Sequence, residues 1–244
     1  MIRRFIGDLH IHTCLSPCGE LDMTPKRIIE RALDKGLDII AITDHNSAEN
    51  LSAAMEVARG SNVTVLPAME ITSSEEVHVL AIFETVGTAM EMQETVYKEL
   101  TGGENDERLW GPQVLVNEND EVMGFNKRLL IGATRFTLKA LVAEIHEAGG
   151  LAVASHVDRG SFSVISQLGY IPEDIKFDAL ETTGPERAGT IIGQCGGIPW
   201  VTSSDAHRLD DIGRKTTTFL LEKASFREIA MALGKIDGRM VLQG

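Results

Sequence analysis

Short apolar runs alternate with amphipathic stretches along most of this chain. Ile2 to Leu9 reads as a strand. Thr24-Pro25 follows as a helix N-cap with proline at the first helical position, and Gly36 closes a helix that runs to about Lys35. Asp38 to Thr43 (DIIAIT) is a short buried strand. Ser47 is placed to cap a helix ending near Arg59-Gly60. Thr64 to Ala68 and Val77 to Phe83 are further strands. The rhythm breaks between Glu84 and Arg135. That stretch holds a helix over Met90 to Leu100, a polar glycine-containing loop over Thr101 to Gly111, and a hairpin over Val114 to Met123 with Asn119-Asp120 near its turn. It then resumes: helix over Thr137 to Ala148, strand over Leu151 to Ser155, strand over Ala179 to Glu181, helix over Arg187 to Cys195, and strands over Pro199 to Ser203 and Thr216 to Leu220. Ser225-Phe-Arg-Glu228 fits a capping box opening the last helix.

Near-continuous apolar strands separated by helices argue for a parallel sheet covered by helices. About seven β/α units are counted, without internal repeat. The α/β fold that fits best is a distorted (β/α)7 barrel of TIM-like form, with a doubly wound open sheet as the alternative. The chain is read as a single domain over residues 1–244, and the 84–135 segment as an insertion or flap.

Composition narrows the function. The 244 residues are 43% hydrophobic, enough for a sizeable core, and carry a formal charge of -13. A strongly acidic balance makes nucleic acid an unlikely partner beyond short oligonucleotides, since general binders present basic surfaces. It leaves phosphorylated small molecules open, because bound cations invert the local field. No signal peptide and no membrane-length apolar window is visible, so the expected location is cytoplasmic, with no membrane contact. The three cysteines, Cys14, Cys18 and Cys195, are an odd number and argue against a disulfide framework. Nothing in the chain indicates an oligomeric state.

The seven histidines are not scattered. Only His146 lies inside an expected helix. His10, His12, His45, His78, His156 and His207 fall near strand ends, as does Glu70. On a strand, residues two apart point to one side, so His10 and His12 can approach one cation, and Asp205 and His207 repeat the spacing. One barrel rim gathering these groups would be a multinuclear site for zinc, manganese or iron. Asp8 and Asp44 border the histidines and are read as carboxylates that orient imidazoles. Glu181 either faces the same rim or serves as an ion-pair partner. Ser203 and Ser204 are read as shaping the turn that presents Asp205. No P-loop, dinucleotide fingerprint or nucleophile elbow is present.

Asp8-Leu-His-Ile-His-Thr13, Ile42-Thr-Asp-His-Asn46, Glu70, His78, Ser155-His156 and Ser204-Asp-Ala-His207 resemble, in order, the motifs of the PHP (polymerase and histidinol phosphatase) family. The resemblance runs from residue 8 to 207. It implies a distorted seven-stranded barrel with two or three divalent metals at its C-terminal rim, and phosphoesterase activity. Carried over by position, it implies one metal on His10, His12, Glu70 and Asp205. A second would sit on Glu70, His78 and His156, and a third on His45 and His207. The family usually completes the third site with His or Asp six residues after the second motif histidine; Cys18 stands there. A thiolate suits zinc or iron better than magnesium or manganese.

Arg159 follows His156 closely and is the first candidate for holding phosphate, with Arg208 and Arg135 behind it. Arg159, Asp205 and His207 are therefore the candidate catalytic residues. The expected function is hydrolysis of a small phosphomonoester or nucleotide by a di- or trinuclear metal centre. The alternative is a metal-bound module with little catalysis that serves in assembly or binding.

Overall fold

The computed structural model describes residues 1–184 and 197–242. The helix expected over Arg187 to Cys195 lies outside them. The elements are β1 (Arg3–Ile11), α1 (Pro25–Asp34), β2 (Ile39–Ile42), α2 (Leu51–Ala58), β3 (Thr64–Thr72) and β4 (His78–Ile82). The 84–135 segment contributes α3 (Val86–Glu99), α4 (Glu107–Trp110) and the ribbon of β5 (Val114–Val116) and β6 (Val122–Phe125). Then follow α5 (Leu138–Glu147), β7 (Leu151–Ala154), α6 (Val164–Leu168), β8 (Ala179–Thr182), β9 (Trp200–Thr202), β10 (Thr217–Leu221), α7 (Phe226–Leu233) and β11 (Met240–Leu242).

Nine of these strands form one sheet in the order β11-β10-β1-β2-β3-β4-β7-β8-β9. The sheet curls until it nearly closes. Past the end of β9 the chain reaches Ala206, which bridges Ile11 in parallel, with His12 N to Ala206 O at 3.0 Å and Ala206 N to His10 O at 3.1 Å. The strands from β1 round to β9 thus enclose a distorted barrel. Below the bridge, β10 continues the sheet antiparallel to β1, and β11 pairs antiparallel with β10 in turn. The seam between β9 and β10 has no ladder. Thr217 bridges it instead, its hydroxyl accepting from Thr202 N and donating to Thr202 O.

The sheet departs from the expected parallel arrangement at β4, which runs antiparallel to both β3 and β7. Its cause is local. Only Ser73 to Val77 separate β3 from β4, and a parallel crossover needs a dozen residues or more. The first residue of β4 therefore lies on the same rim as the last residues of its neighbours.

Alternation sorts the strands between two cores. Ile39 and Ala41, Leu66 and Ala68, Leu80 and Ile82, and Leu151 and Val153 share an inner cluster with Phe219 and, from α7, Ile229 and Leu233. The intervening Ile40, Ile42, Val65, Met69, Val79 and Ala81 join an outer cluster with α1, α2, α3 and α5. In β1, Phe5 and Leu9 belong to the inner cluster, and Gly7 lies between them where a Cβ would stand 3.0 Å from the Phe219 ring. Strict alternation would then send His10 outward. The register of β1 against β2 shifts between Asp8 and Ile11. This irregularity changes the phase, so that Ile11 joins the outer cluster and the flanking His10 and His12 turn to the rim.

Two expected caps differ in detail. Ser47 does not cap α2, whose N-cap residue is Asn50. Its hydroxyl lies 2.8 Å from Tyr97 Oη and 3.2 Å from Gln93 Oε1, fastening α3 to the loop after β2. Ser225 accepts from Glu228 N, as a capping box requires. The Glu228 carboxylate instead receives Glu222 N and the Arg239 guanidinium. The 84–135 segment is tied to the rim loops. Asn46 donates to Leu130 O and Gly132 O, and Asn50 bonds both Val114 O and Val116 N.

Candidate metal centre

Glu70 is the hub of the rim. It is buried in β3, and its carboxylate lies 3.1 to 3.6 Å from nitrogens of His10, His12, His45, His78 and His156. His10 and His12 arrive from β1, His45 from the loop after β2, His78 from the head of β4, and His156 from the turn after β7. Asp205, after β9, places Oδ1 3.2 Å from His10 Nε2 and 3.1 Å from His12 Nε2. His207 stacks on His12 with ring centroids 4.3 Å apart.

The hydrogen bonds behind the rings fix their tautomers. Glu181, buried at the end of β8, lies 2.9 Å from His10 Nδ1. A carboxylate accepts, so Nδ1 carries the proton and Nε2 turns a lone pair to the rim. Ser16 does the same for His12. Its hydroxyl donates to Asp44 Oδ1 at 2.7 Å and so accepts from His12 Nδ1 at 3.0 Å and from His45 N at 3.1 Å. His207 Nδ1 donates to Asp205 O at 2.9 Å.

Electrostatics sharpen the picture. Burial opposes charge on His10, but Glu181, Asp205 and Glu70 together hold its imidazole well above the ordinary range, so a second proton occupies Nε2 until a cation displaces it and takes the lone pair. Burial, then His207, brings His12 down to about 4. Burial likewise holds His45 well below its usual value. Burial works against the Glu70 carboxylate, yet His78 and His10 keep it ionised and well below its usual range. Glu70 Oε1, His45 Nδ1, His78 Nδ1 and His156 Nδ1 are buried without a hydrogen-bond partner. Orphaned polar atoms of this kind are costly. A lone-pair nitrogen facing a carboxylate oxygen calls for a cation between them, and divalent zinc, manganese or iron fits this nitrogen and oxygen donor set.

Three overlapping donor sets have ligand atoms all within 4.8 Å of one another: His10, His12 and Asp205; His45, Glu70 and His78; and His12, Cys18, His45 and His207. His156 joins the cluster through Glu70. Cys18 is exposed as a residue, but its sulfur belongs to the third set. Desolvation, with Glu70 and Asp205 behind it, pushes that thiol up, so a cation must displace its proton before it can bind. Cys14, by contrast, is buried against Val114 and Val116.

Several expected roles are corrected. Asp8 touches no imidazole. It accepts from Ser204 N and Oγ and from Gly213 N, which fixes the turn presenting Asp205, and burial brings its carboxyl up to about 6. Asp44 acts on His12 only through Ser16. Arg135 and Arg208 lie away from the site in exposed ion pairs with Glu99 and Glu20. Arg159 does reach the cluster, its guanidinium against Asp205 Oδ2. Ser16 was not legible as a site residue; its only signal was its place between Cys14 and Cys18. Asn46, His156 and Asp205 all have positive φ, at 51°, 31° and 51°. Backbone of this kind gathers at functional turns, and no sequence pattern announced it.

Replacing Glu181 by glutamine tests the backing of His10. Metal affinity is expected to fall about 10- to 100-fold, the usual effect of losing a partner behind a ligand. Competitive chelator titration measures it, and unchanged affinity would mean that Glu181 does not hold the ring.

Residues 8–166 match the sequence profile of the PHP domain, and 196–236 a PHP-associated profile. The phosphoribosyl 1,2-cyclic phosphate 1,2-diphosphodiesterase of Eggerthella lenta is 28% identical over 82 residues, 32% of this chain and 30% of that protein. The 5'-3' exoribonuclease Rnm of Salmonella typhimurium is 28% identical over 200 residues, 65% of this chain and 67% of that enzyme. Among solved structures, the lesion-specific endonuclease PfuEndoQ from Pyrococcus furiosus has the same fold, with a TM-score of 0.77 at 22% identity. That likeness covers 98% of this chain and 58% of the endonuclease. The chain thus spans less than a third of the first relative and little more than half of the archaeal protein. No described helix is long and apolar enough to cross a membrane. A profile match over well more than half of its length places the chain in the PHP domain family.

Proposed function

We propose that this chain is a metal-dependent phosphoesterase acting on a small phosphorylated metabolite or nucleotide through two or three divalent cations. The observation that carries the reading is the buried Glu70 carboxylate ringed by five imidazoles, with four polar atoms left unpaired. His10, His12, Glu70 and Asp205 would hold one ion, Glu70, His78 and His156 a second, and His45, His207 and Cys18 a third. Such ions, when bound, supply Lewis-acid activation of water and of phosphoryl oxygens.

The chain's own groups do the rest. Glu181 and Ser16 keep two imidazoles in the tautomer that presents a lone pair. Arg159 lies beside Asp205 and brings positive charge to the point where a phosphate dianion would dock. His207, less buried than the other rim histidines, stands on the solvent side of His12. Its Nδ1 proton is committed to Asp205 O. The Cys18 sulfur favours zinc or iron in the third set. The nuclease and cyclic phosphodiesterase relatives keep short oligonucleotides among the substrates to be tried.

The test is a panel of phosphomonoesters, nucleotides, cyclic phosphodiesters and short oligonucleotides, assayed with zinc, manganese or iron. Phosphate or nucleotide release is expected from at least one, and His10→Ala should lower it ~10³-fold, equivalent to about 4 kcal/mol of transition-state stabilisation. A flat panel with metal bound would leave a non-catalytic module. Full activity in His10→Ala would overturn the assignment of the site.

A further inference from the structure

Phe162 departs from what its residue type prescribes. It lies in the loop between β7 and α6, with φ at 54° and 42% of its surface exposed. Bulky side chains seldom adopt that backbone, and strain of this kind persists where the surroundings impose it. The surroundings here are the metal-binding rim. Phe162 O accepts from His78 N at 2.9 Å, and its ring lies on the His78 imidazole, with centroids 4.7 Å apart and planes 18° from parallel.

The same loop carries Arg159. Its N donates to His156 O, its carbonyl accepts the Ser163 hydroxyl, and its guanidinium rests on Asp205. One short segment therefore sets a cation on the Asp205 flank of the cluster and an aromatic ring on the His78 flank. A phenylalanine serving only as core packing would be buried, as Phe83 and Phe219 are. Phe162 has one face on His78 and keeps much of its surface open.

Resting on the phosphoesterase reading, we propose that Phe162 is a stacking platform for the flat ring of the substrate, so that the preferred phosphoesters are nucleotides. The phosphate would lie toward Arg159 and Asp205, and the nucleobase would lie on or beside the phenyl ring. Base stacking on aromatic side chains is sequence-tolerant, since every base has a π face. The selection is for a ring over no ring, not for one base.

The experiment compares adenosine and cytidine 5'-monophosphate with ribose 5-phosphate, which keeps the phosphate and sugar but lacks the base. Metal-loaded protein and the variants Phe162→Ala, Phe162→Leu and Phe162→Trp are used. The readout is the ratio of nucleotide to ribose phosphate in kcat/KM and, by calorimetry, in Kd. In wild type the nucleotides should lead. Phe162→Ala and Phe162→Leu should cut that ratio about tenfold or more, and Phe162→Trp should restore it. Leucine still covers His78 without offering a π face, so it separates stacking from shielding. A ratio unchanged in Phe162→Ala, or a fall of equal size for all three ligands, would overturn the proposal, as would a failure to bind any nucleotide. Ring-dependent binding without hydrolysis would support the platform while the hydrolase reading fell.

Discussion

Glu70→Gln is expected to reduce phosphoester turnover by ~10⁴-fold and to leave the purified protein with less than its full complement of metal. The substitution is close to isosteric, and the backbone of Glu70 keeps its bonds to Asp44 O and Asn46 N, so the strand survives. What disappears is one negative charge at the point where five imidazoles meet. Each of the proposed ions then loses an anionic ligand or a neighbouring counter-charge, and the amide brings an NH₂ group that cannot ligate a cation and competes for the imidazole lone pairs. Losing about 5 kcal/mol of stabilisation for charge developing on phosphate corresponds to that rate loss. Phosphate release and elemental analysis of the same sample check it. Wild-type turnover with wild-type metal content would remove Glu70 from the centre and the proposed mechanism with it.

Chelation should abolish activity and lower the melting temperature by about 10 °C, and both should return on adding back the ion. The rim gathers Glu70, Asp205 and Glu181 among histidines whose protons are unequally distributed, and leaves buried donor atoms without partners. Folding assembles the donor set, so ions that bind the native chain alone stabilise it by mass action. At a thousand times Kd this is about 4 kcal/mol, and a protein of this size gains roughly 2 to 4 °C per kcal/mol. Melting curves with and without chelator, followed by titration with zinc and then manganese, measure the shift. Identical melting in both states would show that no ion is bound at micromolar concentration.

Much of the candidate site was legible because most of its donors sit near strand ends. His10 and His12 share a strand face, and apolar runs point to Thr43, Glu70, Ser155 and Ser203 as places where the chain emerges at the rim. Periodicity could not supply phase. It does not say that β1 slips register between Asp8 and Ile11, without which both histidines would face the helices. The antiparallel course of β4 was readable in principle from the short Ser73 to Val77 link, yet an apolar run carries no direction. Hydroxyl partners were hardest. Ser47 looked like a cap residue and Ser16 carried no signal beyond its place between two cysteines, yet tertiary neighbours claimed both, Tyr97 and Gln93 for the first, Asp44 and His12 for the second. Arg208 misled, while Arg159 did not, because proximity in sequence is not proximity in space: Arg208 follows His207 and still turns outward to Glu20.

The irregularity in β1 divides that strand into two stretches answering to different masters. Residues before it are judged by how they fill the interior beside Phe219, and those after it by whether they can hold an ion. Drift in the interior on one side need not disturb coordination on the other. Exchange of one candidate donor for another likewise leaves the interior untouched. A lineage built on this strand can therefore change its chemistry without first rebuilding its foundation.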